Sequence, residues 1–242
     1  MKTRKILSLI SALVFALAAP ASLAEGLALT DMAGREITLD APATRVIALN
    51  PADCEILYAL GAEEVLVGRG EYCNYPEAVL ELPSVNSGAE TNIEQILALE
   101  PDVIVMSKMA QTVEQVEALE AAGVRVVISD AQNLAGVYDA IAMLGELTGK
   151  QEEAAALSSQ MQEGFDALRE KAEDTGKTVY FEVSPLEWGL WTSGADTFLD
   201  ELAQIVGLTN AFADVSGWAE ISQEQVLARD PDYIVTTAAY YG

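Results

Sequence analysis

A twelve-residue segment occurs twice in this 242-residue chain, 130 positions apart. Glu94-Gln95-Ile96-Leu97-Ala98-Leu99-Glu100-Pro101-Asp102-Val103-Ile104-Val105 returns as Glu224-Gln225-Val226-Leu227-Ala228-Arg229-Asp230-Pro231-Asp232-Tyr233-Ile234-Val235, with eight of the 12 positions identical. Each copy reads as a helix, a Pro-Asp turn and a short β-branched strand. Two copies of one helix–turn–strand unit imply two lobes of like construction.

The rest of the pattern agrees. Short apolar runs of strand type occur at residues 46–49, 65–67, 103–106 and 124–128, and helical patterns fall between them at 53–60, 93–99 and 112–121. Strands alternating with helices make a parallel α/β sheet. Residues 27–39, broken by Met32-Ala33-Gly34, read as a small hairpin leading into it. Residues 134–174 are almost wholly helical, interrupted near Thr148-Gly149. The second piece, 151–174, would run about 36 Å at 1.5 Å per residue and join the lobes as a strut. A second lobe begins with the strand pattern at 179–183. The fold expected is α/β, with two Rossmann-like lobes and mainly parallel sheets, joined by one long rigid helix. Its parts are a first lobe over 25–134, a connecting helical segment over 135–175 and a second lobe over 176–242. By internal symmetry the second lobe lacks a helix and a strand after its Pro-Asp strand, so a C-terminally truncated lobe is expected.

Residues 1–24 carry Lys2, Arg4 and Lys5 and no acid, then an apolar run over 6–19, then Ser22-Leu23-Ala24. That is the order of a secretory signal, and the run is short for a bilayer span. The mature chain would begin at Glu25 and be exported. With no cysteine near the cut, lipid attachment there is not expected. Export places Cys54 and Cys73 in an oxidising setting. Two readings remain open: a bridge closing a loop of about 20 residues, or two reduced, buried cysteines that never meet.

Beyond residue 24 the chain holds 38 acids against 10 bases. Such a surface repels phosphate backbones and anionic lipid, which argues against a nucleic-acid partner. No histidine is present. That removes Ser-His-Asp and Cys-His catalysis and histidine-ligated metal sites. Thr192-Ser193-Gly194 is not a nucleophile elbow, Gly68-Arg69-Gly70 is not a phosphate loop, and no Ca²⁺-loop pattern occurs. An exported hydrolase using paired carboxylates and a structural envelope module are the readings from other classes.

Three stretches carry a family resemblance: Arg45-Val46-Ile47-Ala48-Leu49-Asn50-Pro51-Ala52-Asp53, Tyr72-Cys73-Asn74-Tyr75-Pro76 and residues 92–102. With Leu144-Gly145-Glu146-Leu147-Thr148-Gly149 and residues 222–232, they resemble the substrate-binding proteins of ABC importers for vitamin B12 and ferric siderophores. The similarity runs from about Leu27 to the last residue. It implies a monomer, not an enzyme, that holds a small-molecule metal chelate between its lobes and needs no cofactor. It also implies delivery to an ABC permease and, through it, to an ATPase. Glu94 and Glu224, repeat partners, match the glutamates that dock on the permease in that family. Both also follow helix N-cap residues, Asn92 and Ser222, where the helix dipole favours an acid.

Ligands of open α/β lobes sit beyond the carboxyl ends of strands. This selects Asn50, Pro51 and Ala52 after the first strand, Tyr72 after the second, and Ser87 and Gly88 in the next loop. In the second lobe it selects Trp188, Trp191 and Trp218. Flat aromatic walls with few charges suit a large planar or chelated ligand. Tyr72 and Trp218 match ligand-contacting aromatics of the B12-binding members, whereas Gly88 and Met106 stand where those carry tryptophan. Anionic ferric siderophores would want a cleft arginine, for which Arg69 is the candidate. Haem, the alternative cargo, would want Tyr72 or Met106 as axial ligand.

Overall fold

The computed structural model describes residues 26–88, 91–108 and 112–237. The leader expected over residues 1–24 lies outside them. Among the described residues no helix is long and apolar enough to cross a membrane.

The chain enters through an antiparallel hairpin, β1 (Leu27–Thr30) and β2 (Glu36–Leu39). A wholly parallel sheet follows, formed by β3 (Val46–Ala48), β4 (Leu66–Gly70), β5 (Ser84–Val85), β6 (Val103–Met106) and β7 (Arg125–Ile128), in the order β5-β4-β3-β6-β7. These strands read as unbroken apolar runs because both faces of the sheet are covered. Alternation along each strand then divides the core in two. Val46, Ala48, Val103, Val105 and Val127 pack on one side with Leu57 of α1 (Pro51–Ala59). Ile47, Ile104, Met106, Val126 and Ile128 pack on the other with Ile96 of α2 (Ile93–Ala98) and Leu119 of α3 (Val113–Ala121).

The helical segment expected over 135–175 divides. Its first helix, α4 (Leu134–Thr148), sends Ile141, Met143, Leu144 and Leu147 into the same core cluster as α1 and so completes the first lobe. Gly149 ends it at φ +73°, the left-handed conformation that glycine reaches without strain. Its successor, α5 (Gln151–Lys171), folds back on α4 and runs to the second lobe; only Ala154 of its residues is buried. At 21 residues it is about 31 Å long, shorter than the 36 Å strut expected over 151–174. The close approach at the turn needs Gly145, where an added Cβ would stand 2.5 Å from that of Ala154.

The second sheet is mixed. Its centre is β8 (Thr178–Glu182), parallel to β10 (Thr209–Asn210) and to β12 (Tyr233–Thr236). The remaining pair, β9 (Leu190–Ser193) and β11 (Trp218–Ile221), is antiparallel. Two helices accompany this sheet: α6 (Phe198–Ile205) and α7 (Gln223–Arg229).

Candidate functional site

The repeat extends to several of the polar contacts that decide the chain path. Asn92 and Ser222 each accept a hydrogen bond from the backbone N–H three residues on, Gln95 and Gln225. The residues before the Pro-Asp turns, Glu100 and Asp230, share positive φ angles of 48° and 45°. Asp102 Oδ2 accepts from Thr44 N at 2.9 Å and Thr44 Oγ1 at 3.1 Å, just ahead of β3. Asp232 Oδ2 accepts from Thr178 N at 2.9 Å and Thr178 Oγ1 at 3.3 Å, at the start of β8. Each lobe thus fastens its repeat strand to its central strand with one carboxylate. The same caps hold Glu94 and Glu224 exposed in first helical turns, and neither forms an ion pair among the described residues. The Glu224 carboxyl lies below the usual range because its own backbone N–H and the Ser222 hydroxyl donate to it.

A cavity of about 450 Å³ touches both lobes and α5. Asn50, Ala52 and Asp53 of the α1 start, Ser129 beyond β7, Val137 of α4, Met161 and Phe165 of α5, and Phe198 and Trp218 of the second lobe wall it. Hollows of 510 and 620 Å³ lie beside the hairpin, but their linings include no second-lobe residue. The expected ligand residues Asn50, Ala52 and Trp218 therefore meet at one cavity, and Pro51 is the first helical residue between them. The others stand outside its lining. Tyr72 is exposed beyond β4, and Ser87 lies in the next loop, its N–H 3.4 Å from Glu71 Oε1. Gly88 is held by its carbonyl, which accepts from Thr91 and Gln115. Trp188 and Trp191 are exposed on the second lobe. Trp191 and Trp218 are diagonal neighbours on one face of the β9–β11 ladder, and no tryptophan is spent on filling a core.

Two expectations change. Met106 is completely buried in the sheet core, so it cannot reach a haem iron in the cleft. Arg69 is committed to its own loop: Nη1 donates to the carbonyls of Gly70 at 3.1 Å, Glu71 at 3.4 Å and Cys73 at 3.1 Å. Cys54 and Cys73 are free and fully buried, with their sulfurs 3.6 and 3.7 Å from the Ala48 carbonyl oxygen. No cluster of three or more His, Cys, Asp or Glu that could hold a metal forms among the described residues.

The residue that sequence reasoning missed is Asp53. Only 1% of it is exposed, and Ser129 Oγ donates to its Oδ1 at 2.6 Å. Its Oδ2 has no hydrogen-bond partner among the described residues, although the Asn50 side chain lies near enough to favour the charge. Burial dominates and lifts the carboxyl to about 7. An acid three residues after an N-cap normally reads as an exposed first-turn charge. Nothing local announces that Ser129, 76 positions on, will cover it.

Two α/β lobes, one connecting helix and an aromatic-walled cavity between them are the architecture of the two-lobed binding-protein class. The chain belongs to the periplasmic binding protein family, whose model matches residues 46–239. It is 32% identical over 214 residues to an uncharacterized ABC transporter substrate-binding lipoprotein of Bacillus subtilis, covering 86% of this chain and 68% of that one. A cobalamin-binding protein of Halobacterium salinarum is 29% identical over 215 residues, across 85% of this chain and 57% of its own length. The chain thus spans little more than half of that relative. Among solved structures, the periplasmic vitamin B12-binding protein of Vibrio cholerae matches with a TM-score of 0.69 at 29% identity, covering 81% of this chain and 76% of that one. An ABC-type Fe³⁺-hydroxamate transport protein of Saccharomonospora viridis matches with a TM-score of 0.70 at 26% identity, covering 87% and 79%.

Proposed function

We propose that this protein captures a metal chelate, a corrinoid or ferric chelate, between its lobes and delivers it to the permease of an ABC importer. The observation that carries the reading is the cavity shared by both lobes, with Phe165, Phe198 and Trp218 in its walls and few charges to hold a small ion. Apolar concave sites with a few polar groups suit bulky organic ligands. The commitment of Arg69 to loop carbonyls favours a cargo without strong negative charge, and hence a corrinoid over an anionic siderophore. The exposed phenol of Tyr72 keeps haem as the second reading. The 21 helical residues of α5 favour small lobe motion, because they leave only residues 172–177 as coil before β8 to absorb hinge rotation.

Tryptophan fluorescence tests the reading. All three tryptophans belong to the second lobe, and Trp218 lines the cavity. Titration with cyanocobalamin, hemin and ferrioxamine B should give saturable quenching by one of them, and Trp218→Ala should weaken it more than Trp188→Ala. A flat response to all three would remove this cargo class.

A further inference from the structure

Ligand capture leaves Cys54 and Cys73 without a role. The first lies in α1, one position past Asp53 of the cavity wall. The second lies in the loop after β4, one position past the exposed Tyr72. They are 19 positions apart and are the only cysteines of the chain. The fold nevertheless buries both thiols completely in one core cluster. Both sulfurs also face one acceptor, the Ala48 carbonyl at the end of β3, at 3.6 and 3.7 Å. A single buried cysteine is an ordinary small apolar residue. Two that converge on one buried carbonyl, in a member of an exported family, combine proximity with the oxidising setting that a cross-link needs.

We propose that Cys54 and Cys73 are joined by a disulfide in the exported protein, fastening the Tyr72 loop to the start of α1. The oxidant is a disulfide, carried by an extracytoplasmic thiol oxidoreductase or by oxidised glutathione. One cysteine thiolate attacks it, forming a mixed disulfide and releasing one donor thiolate. The second cysteine then gives up its proton, and its sulfur displaces the remaining donor sulfur. Two S–H bonds are replaced by one S–S bond, and the donor leaves reduced with two electrons and two protons. Because neither cysteine is exposed in the folded chain, the exchange precedes closure of the loop over α1. Closure then shields the bond from reductants.

The test needs no ligand, so it fails or succeeds separately from the proposed function. The full chain, recovered after export, is unfolded in excess N-ethylmaleimide with and without prior reduction, and adducts are counted by mass spectrometry. The expected result is no adduct without reduction and two after it; one or two adducts without reduction would overturn the proposal. Urea unfolding with and without dithiothreitol gives a second readout. Closing a loop of about 20 residues should shift the equilibrium toward the folded state on the order of a hundredfold. The Cys54→Ala/Cys73→Ala chain should ignore the reductant. Identical midpoints for the parent with and without dithiothreitol would overturn the fastening role.

Discussion

Replacing Asp53 by Asn should stabilise the protein, and by an amount that grows with pH. The carboxyl ionises near 3.8 in the unfolded chain and at about 7 in the folded one, because burial disfavours its charge. The folded state therefore holds this proton longer than the unfolded state. This group favours folding least at high pH: its cost begins as pH rises past 4 and is complete above 7. At about 1.4 kcal/mol per pH unit, the cost is about 2 kcal/mol at pH 5 and about 4 kcal/mol at pH 8. Asparagine carries no charge at either pH, and its carbonyl can still accept the Ser129 hydroxyl that now bonds Asp53 at 2.6 Å. The Asp53→Asn chain should exceed the parent in stability at both pH values, with a gap about 2 kcal/mol wider at pH 8. Urea unfolding followed by far-ultraviolet circular dichroism at the two pH values measures that gap, and other titrating groups cancel in the difference. Parallel pH profiles for the two chains would refute the argument, because they would mean that Asp53 titrates alike folded and unfolded.

The repeat supplies a matched comparison. Ile104→Ala should cost about 2–5 kcal/mol in urea unfolding, and its repeat partner Ile234→Ala less than about 1 kcal/mol, since the two are 0% and 61% exposed. Glu94→Ala and Glu224→Ala, each tested in a transport assay with a parallel fluorescence titration, should abolish uptake while leaving ligand affinity unchanged; lost affinity would place these acids in the cleft instead. Gly145→Val should lose about 1–3 kcal/mol, because its Cβ meets that of Ala154 at 2.5 Å. Gly164→Ala, in α5 with nothing within 4 Å of the added carbon, should instead gain about 0.5–1 kcal/mol by thermal or urea unfolding.

Several elements are legible residue by residue. Thr112 with Gln115, and Ser222 with Gln225, are side-chain patterns that start helices wherever they occur, and both form full capping boxes here. The apolar runs of β3, β6 and β7 mark a sheet covered on both faces before any contact is known. Legibility fails where the deciding partner is distant. Leu134 to Thr148 has the periodicity of any amphipathic helix, and only its fit against α1 assigns α4 to the first lobe. The antiparallel pairing of β9 with β11 joins strands separated by α6 and β10, which no turn signal predicts. At the candidate site, three residues that the strand-end rule selected, Asn50, Ala52 and Trp218, line the cavity. That rule does not select Asp53, whose burial depends on Ser129, and the siderophore argument for Arg69 meets partners that are backbone carbonyls with no sequence signature.

What the sequence determined alone is local and repeated: two capped helices and two left-handed residues before two Pro-Asp turns. The segments 92–105 and 222–235 are enough for that, because each of these features is made within the segment itself. Burial was decided by the tertiary structure. Ile104 and Ile234 are the same residue in the same unit, yet β6 lies between β3 and β7 with helices on both faces, and β12 pairs with β8 alone among the described residues. A strand's conformation follows from its own side chains, but the removal of its surface from water depends on neighbours that the strand does not encode.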